Sequence, residues 1–269
     1  MAEVVPPLVS HYIEFCRYRA DSKKNGTLDL SEAKWFYPTT LLPLVNFASD
    51  NPNIKPKLPQ KLEVRRYFSL ITGQPTHNKT DSFIPIIKAA RLGDSYFDQI
   101  YTLICQDDSK ESAQDIKYII GELVANIDEH SKCNASFFMA QNYKKREFLE
   151  AAFFDNGITI PGSFREAGLY KKGMNDVDCI KEALTGTSTS PEYGRGHGLP
   201  STTKILKAIN SDIFIVSGNG AIYLNGTDKY LKEDIAYTTD EFAQLGGTLI
   251  SFQIHLPIKH IDIYRPGYL

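Results

Sequence analysis

The stretch that decides the reading is Ser112-Ala113-Gln114-Asp115-Ile116-Lys117-Tyr118-Ile119-Ile120-Gly121-Glu122-Leu123-Val124-Ala125-Asn126-Ile127-Asp128-Glu129-His130-Ser131. Ile116, Ile119, Ile120, Leu123, Val124 and Ile127 recur at helical spacing and form one apolar stripe, which predicts an amphipathic helix over 112–131. At about 100° per residue, Glu122, Asn126 and Glu129 fall within an arc of roughly 60°. Asn126 borders the stripe, and His130 lies nearer to it. An amide oxygen is a neutral, hard donor suited to Mg²⁺, which keeps several waters and also binds phosphates. A carboxylate one turn earlier can orient or deprotonate a water. A solvated helix face has the same composition, so the helix alone leaves both readings open.

Further along the chain, Ala135–Ala140 and Phe148–Phe154 read as strands joined by a polar, basic turn. At the end of the second stands Asp155-Asn156-Gly157. A buried carboxylate there can accept a hydrogen bond from an exocyclic amine, and glycine permits close approach of backbone and a flat base. Asp/Asn-Gly is equally the chemistry of a tight hairpin. A loop-rich region with a short helix near 176–184 follows. Then comes Gly194-Arg195-Gly196-His197-Gly198-Leu199, leading through Pro200 into a helix over about Ser201 to Ala208. Alternating glycines ahead of a helix N-terminus can turn backbone N–H groups toward an anion, although a flexible loop has the same look. The spacing is not that of a dinucleotide fingerprint, and no G-x-x-x-x-G-K-[ST] occurs anywhere. Strands are expected near 212–217 and 221–224 about the turn Gly218-Asn219-Gly220. A last strand, about 248–256, opens with Gly246-Gly247-Thr248.

Before the helix, Gln106-Asp107-Asp108-Ser109-Lys110 breaks the pattern, and a domain boundary is expected there, dividing 1–108 from 109–269. Gly26-Thr27-Leu28-Asp29-Leu30-Ser31 reads as a short strand, and Leu41, Leu44, Val45 and Ala48 as the packed side of a helix. Residues 51–81 are rich in proline and turn residues, which suits long loops around short strands. The strand–turn–helix unit resembles the core of STAS-type domains. In that family the loop after such a strand carries a regulatory phosphoserine, and the matching position here is about Pro38, with Thr39 and Thr40 after it.

Composition bounds the rest. The chain has 269 residues, 42% apolar and 23% charged, the balance of an ordinary soluble globular protein. Its formal net charge of −2 and dispersed basic runs, Arg65-Arg66, Lys144-Lys145-Arg146 and Lys171-Lys172, argue against broad nucleic-acid binding and read as solvated faces. Four cysteines show no zinc spacing and no C-x-x-C, so they read as reduced thiols, and the six histidines show no zinc arrangement. Neither a signal peptide nor an apolar run of membrane-spanning length is apparent, so the expectation is a cytoplasmic protein with no membrane partner.

The order of these features carries more than any one of them. Glu-x-x-x-Asn on a helix, Asp-x-Gly after a strand, G-x-G-x-G before a helix and Gly-Gly-Thr before a strand resemble, over roughly 112–257, the four boxes of the GHKL (Bergerat-fold) ATPases. The resemblance implies an α/β sandwich with helices on one face of a mixed, largely antiparallel sheet, preceded by a smaller STAS-like α/β domain. It implies ATP and Mg²⁺ as ligands. Asn126 would hold the metal, and Glu122 would be the general base. Asp155 would bind adenine N6 with Gly157 beneath the base, and Thr248 would support Asp155. Gly194, Arg195, Gly196, His197, Gly198 and Leu199 would surround the phosphates, with Ile160 lining the pocket and a mobile lid over about 161–193. Two departures stand out. Thr159 replaces the second glycine of the Asp box, which should stiffen that turn, and His197 replaces a usual leucine or methionine, adding positive charge with Arg195. The expected function is an ATPase or nucleotide-gated switch with a protein partner or a second copy. The alternatives are a Ser/Thr protein kinase of anti-sigma type and a non-catalytic nucleotide sensor. Little chain follows the last strand, so a gyrase-like transducer lysine is not expected here.

Overall fold

The computed structural model describes residues 5–73, 82–89, 98–99, 102–103, 110–189, 198–226, 234–258 and 261, with 110–114 as backbone only. The long helix read from the sequence is present as α4, Lys110–His130. Before it stand α1 (Pro7–Asn25), α2 (Pro38–Asp50) and α3 (Leu62–Thr72), and residues 98–99 and 102–103 are helical too. After it come α5 (Ile160–Glu166), α6 (Asp176–Thr185) and α7 (Gly198–Ala208). Nine strands among the described residues complete the mixed α/β fold. They are β1 (Thr27–Asp29), β2 (Lys55–Lys57), β3 (Phe83–Lys88), β4 (Ser136–Tyr143), β5 (Phe148–Asp155), β6 (Ser211–Gly218), β7 (Gly220–Leu224), β8 (Ile235–Thr238) and β9 (Leu245–His255).

Seven of the strands form one sheet in the order β3-β4-β5-β9-β6-β7-β8, and each neighbouring pair is antiparallel. The expected mixed, largely antiparallel sheet is antiparallel at every described pairing; the only parallel pairing described is the separate short ribbon of β1 and β2. The helices expected on one face of the sheet, α4 to α7, share one face, and the N-terminal helices α1 to α3 cover the other. On one face, Leu149, Ala151 and Phe153 of β5, Ile213 and Ile215 of β6, and Phe252 and Ile254 of β9 join the apolar stripe of α4 in one core. On the other, Ala152 and Phe154, Phe214 and Val216, and Leu249 pack against α1, α2 and α3. Residues alternate between the two cores because successive strand side chains point to opposite faces. With both faces covered, β5 and β6 are buried along their whole length, the carboxyls of Glu150, Asp155 and Asp212 included.

The N-terminal part is therefore a layer on the sheet. The stretch expected to be loops contains α3, whose Val64, Tyr67 and Ile71 are buried at helical spacing. β3 lies before the anticipated boundary at 108/109 yet pairs with β4 beyond it. Thr39 and Thr40, expected beside a phospho-acceptor loop, are inside α2 with no exposed surface. Thr39 Oγ1 donates to the fully buried carboxylate of Glu150 at 2.7 Å, and Gln253 Nε2 donates to its other oxygen at 3.0 Å. His11 Nδ1 stands 3.1 Å from that same oxygen, with its ring stacked 3.6 Å from Tyr37. Burial alone would raise the Glu150 pKa, but His11, Gln253 and Thr39 outweigh it and the net shift is downward.

Candidate functional site

The site lies on the α4 face of the sheet, where a cavity of about 380 Å³ opens. That is in the range of small-molecule pockets. Its floor is Phe153 and Asp155 of β5 with Thr248 and Ile250 of β9. Tyr118, Glu122, Asn126, Glu129 and His130 of α4 form one wall. The helical period brings them together: Tyr118, Glu122 and Asn126 are successive turns of one face. Ile160, Ser163 and Phe164 of α5, with Thr187, Ser188 and Thr189 after α6, face them, and Gly198, Leu199 and Pro200 at the start of α7 close one end.

Asp155 is 4% exposed and opposite Thr248 in the β5–β9 register. Burial pushes its carboxyl up to about 7, only partly offset by the hydrogen bond that Oδ1 accepts from Gly157 N at 3.0 Å. Gly247, at φ +107°, makes this junction possible, because a Cβ there would lie 1.9 Å from the Asp155 carbonyl oxygen. Thr248 does not spend its hydroxyl on Asp155. It shares a hydrogen bond of 2.9 Å with Ser217 Oγ, which in turn accepts from Ile160 N at 2.8 Å. Ser217 thus ties the sheet to the start of α5, and nothing in its sequence context marks it.

Gly157 is placed differently from the expectation. It does not line the cavity but packs on the chain leaving α4, where a Cβ would meet the Ser131 carbonyl oxygen at 1.9 Å. Ile158 N donates to the same oxygen at 2.7 Å, so Asp155-Asn156-Gly157 is a docking turn and not a hairpin. Thr159, the departure from the glycine pattern, is the N-cap of α5: its hydroxyl accepts from Gly162 N at 3.0 Å. That accounts for a hydroxyl residue at this position.

Asn126 and Glu122 meet α7 directly. A Cβ on Gly198 would lie 2.9 Å from both Asn126 amide atoms and 3.1 Å from Glu122 Oε2. Asn126 Nδ2 is buried and has no hydrogen-bond partner among the described residues, an unmet need next to the helix start. Of the glycine-rich run, Gly198 and Leu199 line the cavity, while Gly194, Arg195, Gly196 and His197 lie outside the described residues. The stretch expected as a lid, 161–193, contains α5 from Pro161 onward and all of α6, with Phe164, Val177, Cys179 and Ile180 buried, while 190–193 lie outside the described residues. A reciprocal Asn175–Asp178 capping box starts α6. Thr189 Oγ1 reaches His130 Nδ1 at 3.5 Å from the stretch after it.

Among the described residues no cluster of three or more His, Cys, Asp or Glu side chains could cage a metal ion. A cation here would depend on Asn126, water and the ligand's own oxygens, which fits Mg²⁺ better than zinc or calcium. The cavity thus combines a buried acid at one end, an unsatisfied amide beside a carboxylate at the other, and apolar walls between. Comparison with protein-family models, with curated proteins and with solved structures returns no match.

Proposed function

We propose that this cavity binds ATP with Mg²⁺ and that the protein is an ATPase or nucleotide-gated switch of GHKL type. The observation that carries the reading is convergence: Glu122, Asn126, Asp155, Thr248, Ile160, Gly198 and Leu199, dispersed over the sequence, line one cavity. Adenine would lie toward Asp155, between Phe153, Ile250 and the α5 side chains, with its amine facing the carboxyl. The phosphates would lie toward Asn126 and the start of α7. Bound Mg²⁺ would neutralise phosphate oxygens, and Asn126 is the side chain to hold it. Glu122, which lines the same cavity, would accept a proton from an attacking water or hydroxyl. The sheet with α4 to α7 is read as the Bergerat-type unit. In the N-terminal layer, the STAS resemblance is kept for the strand–helix unit of β1 and α2 and not for a phospho-acceptor, because Thr39 and Thr40 are buried.

The test is incubation of the full chain with γ-labelled ATP, beside the Glu122→Ala variant and a direct binding measurement. Free phosphate that disappears in the variant marks hydrolysis. Label carried by a co-incubated protein marks a Ser/Thr kinase. Intact binding with neither marks a sensor. Absence of ATP binding in the presence of Mg²⁺ rejects the whole reading.

A further inference from the structure

The opposite side of the molecule carries a feature that the nucleotide reading does not use. Between Lys55 and Arg66 stand five cations, Lys55, Lys57, Lys61, Arg65 and Arg66, against the single anion Glu63, in a chain whose formal net charge is −2. All six are exposed. Lys57 pairs with Asp29 at 2.9 Å, and Arg65 Nε donates to the Pro59 carbonyl at 2.8 Å. Five large apolar side chains are exposed among the described residues, and two lie in this segment, Leu58 (39%) and Leu62 (55%), with a third, Leu70 (51%), one turn past it on α3. Leu62, Arg66 and Leu70 follow one another at single-turn spacing on the solvent face of α3, because Val64, Tyr67 and Ile71 hold its other face in the core.

We propose that this face, formed by β2, the turn after it and α3, is a docking surface for an anionic lipid bilayer. Lysine and arginine interleaved with exposed leucine on a surface helix matches the chemistry of an anionic headgroup layer over acyl chain. The leucines stand apart with arginine between them, so each can enter a fluid layer singly. A folded protein partner would need a separate pocket for each. A symmetric contact with a second copy would set like charges against each other. Nucleic acid would leave the leucines without gain, and the aromatic rings of α3, Tyr67 and Phe68, are turned inward against Trp35, Phe83 and Phe36. α3 packs on the face of the sheet opposite the cavity, so lipid contact and ligand entry do not compete. Among the described residues no helix is long and apolar enough to cross a membrane, which concerns spanning and not surface contact.

The test is co-sedimentation of the full chain with vesicles of phosphatidylcholine alone and of equal phosphatidylcholine and phosphatidylglycerol, at low ionic strength. The variants are Leu62→Ser with Leu70→Ser, and Lys61→Glu with Arg66→Glu, all at exposed positions, with unchanged circular dichroism as the folding control. Binding to the anionic vesicles alone, weakened at least about tenfold by either pair and by added salt, is the expected result. No binding to anionic vesicles overturns the proposal. So does binding that both variants retain. Charge dependence without leucine dependence overturns it too, since an acidic protein surface would behave that way.

Discussion

At the residue scale, two side chains set what the cavity can hold. A Cβ on Gly198 would fall 2.9 Å from the Asn126 amide. Gly198→Ala should therefore weaken ATP binding by about tenfold or more, roughly the 1.4 kcal/mol of one decade. Adenosine binding should be nearly unchanged; calorimetric titration of both ligands checks this, and equal losses would place the phosphates elsewhere. Asp155 makes a second case. Its carboxyl is pushed up to about 7 by burial, whereas an unfolded aspartate titrates near ~3.9. Between those values the folded chain keeps a proton that the unfolded chain has released. Stability therefore falls as pH rises through this window, and the full cost is present above it. Asp155→Asn should stabilise the ligand-free protein by roughly 1–3 kcal/mol at pH 8 and by much less at pH 4. The same variant should lose preference for adenine over hypoxanthine nucleotides. Thermal melts at the two pH values and competition binding measure the two halves.

At the scale of elements, the N-terminal layer is pinned to the sheet at Glu150. This carboxylate has no exposed surface, and its partners come from α1, α2 and β9. Its folded pKa is lowered, so its contribution is present above the ordinary carboxylate pKa and is lost as pH falls through the folded value. His11→Ala leaves the buried carboxylate without the imidazole beside it and should cost about 2–4 kcal/mol in denaturant unfolding at neutral pH. The deficit should shrink in acid, where the carboxyl takes up a proton. A deficit independent of pH would mean that His11 matters for packing on Tyr37 alone.

At the scale of the whole molecule, the sheet is a shared floor for two cores. Phe154, Phe214, Val216, Tyr223 and Leu249 belong to the core beneath α1 to α3. A fragment of residues 109–269 lacks those helices and β3, and would present this face to water. It should bind a hydrophobic dye and self-associate, where the full chain does not. A monomeric fragment with a cooperative melt would contradict this and restore the division anticipated near 108.

Local periodicity made several parts of this fold legible. The stripe of α4, the apolar runs of β4, β5, β6 and β9, and the helix near 176–184 follow from side-chain spacing, because burial on one or two faces imprints a period on the chain. The wall of the cavity was legible for the same reason, since Glu122 and Asn126 are one helical turn apart. Tyr118 was available to the same reasoning, one turn earlier. Other features have no local signature. α3 hides in a proline-rich stretch, and only its three buried residues, meeting the sheet, make it a helix of this fold. That Gly157 answers to Ser131, that Thr248 bonds Ser217, and that Glu150 is met by His11 and Thr39 of the N-terminal layer are relations between distant segments. The sequence by itself determined which segments carry an apolar face and which polar residues break it. Only the tertiary structure decided which face meets which, because burial rewards any apolar partner of suitable shape and is non-directional. That choice put the N-terminal helices on the free side of the sheet and left the cavity open on the other.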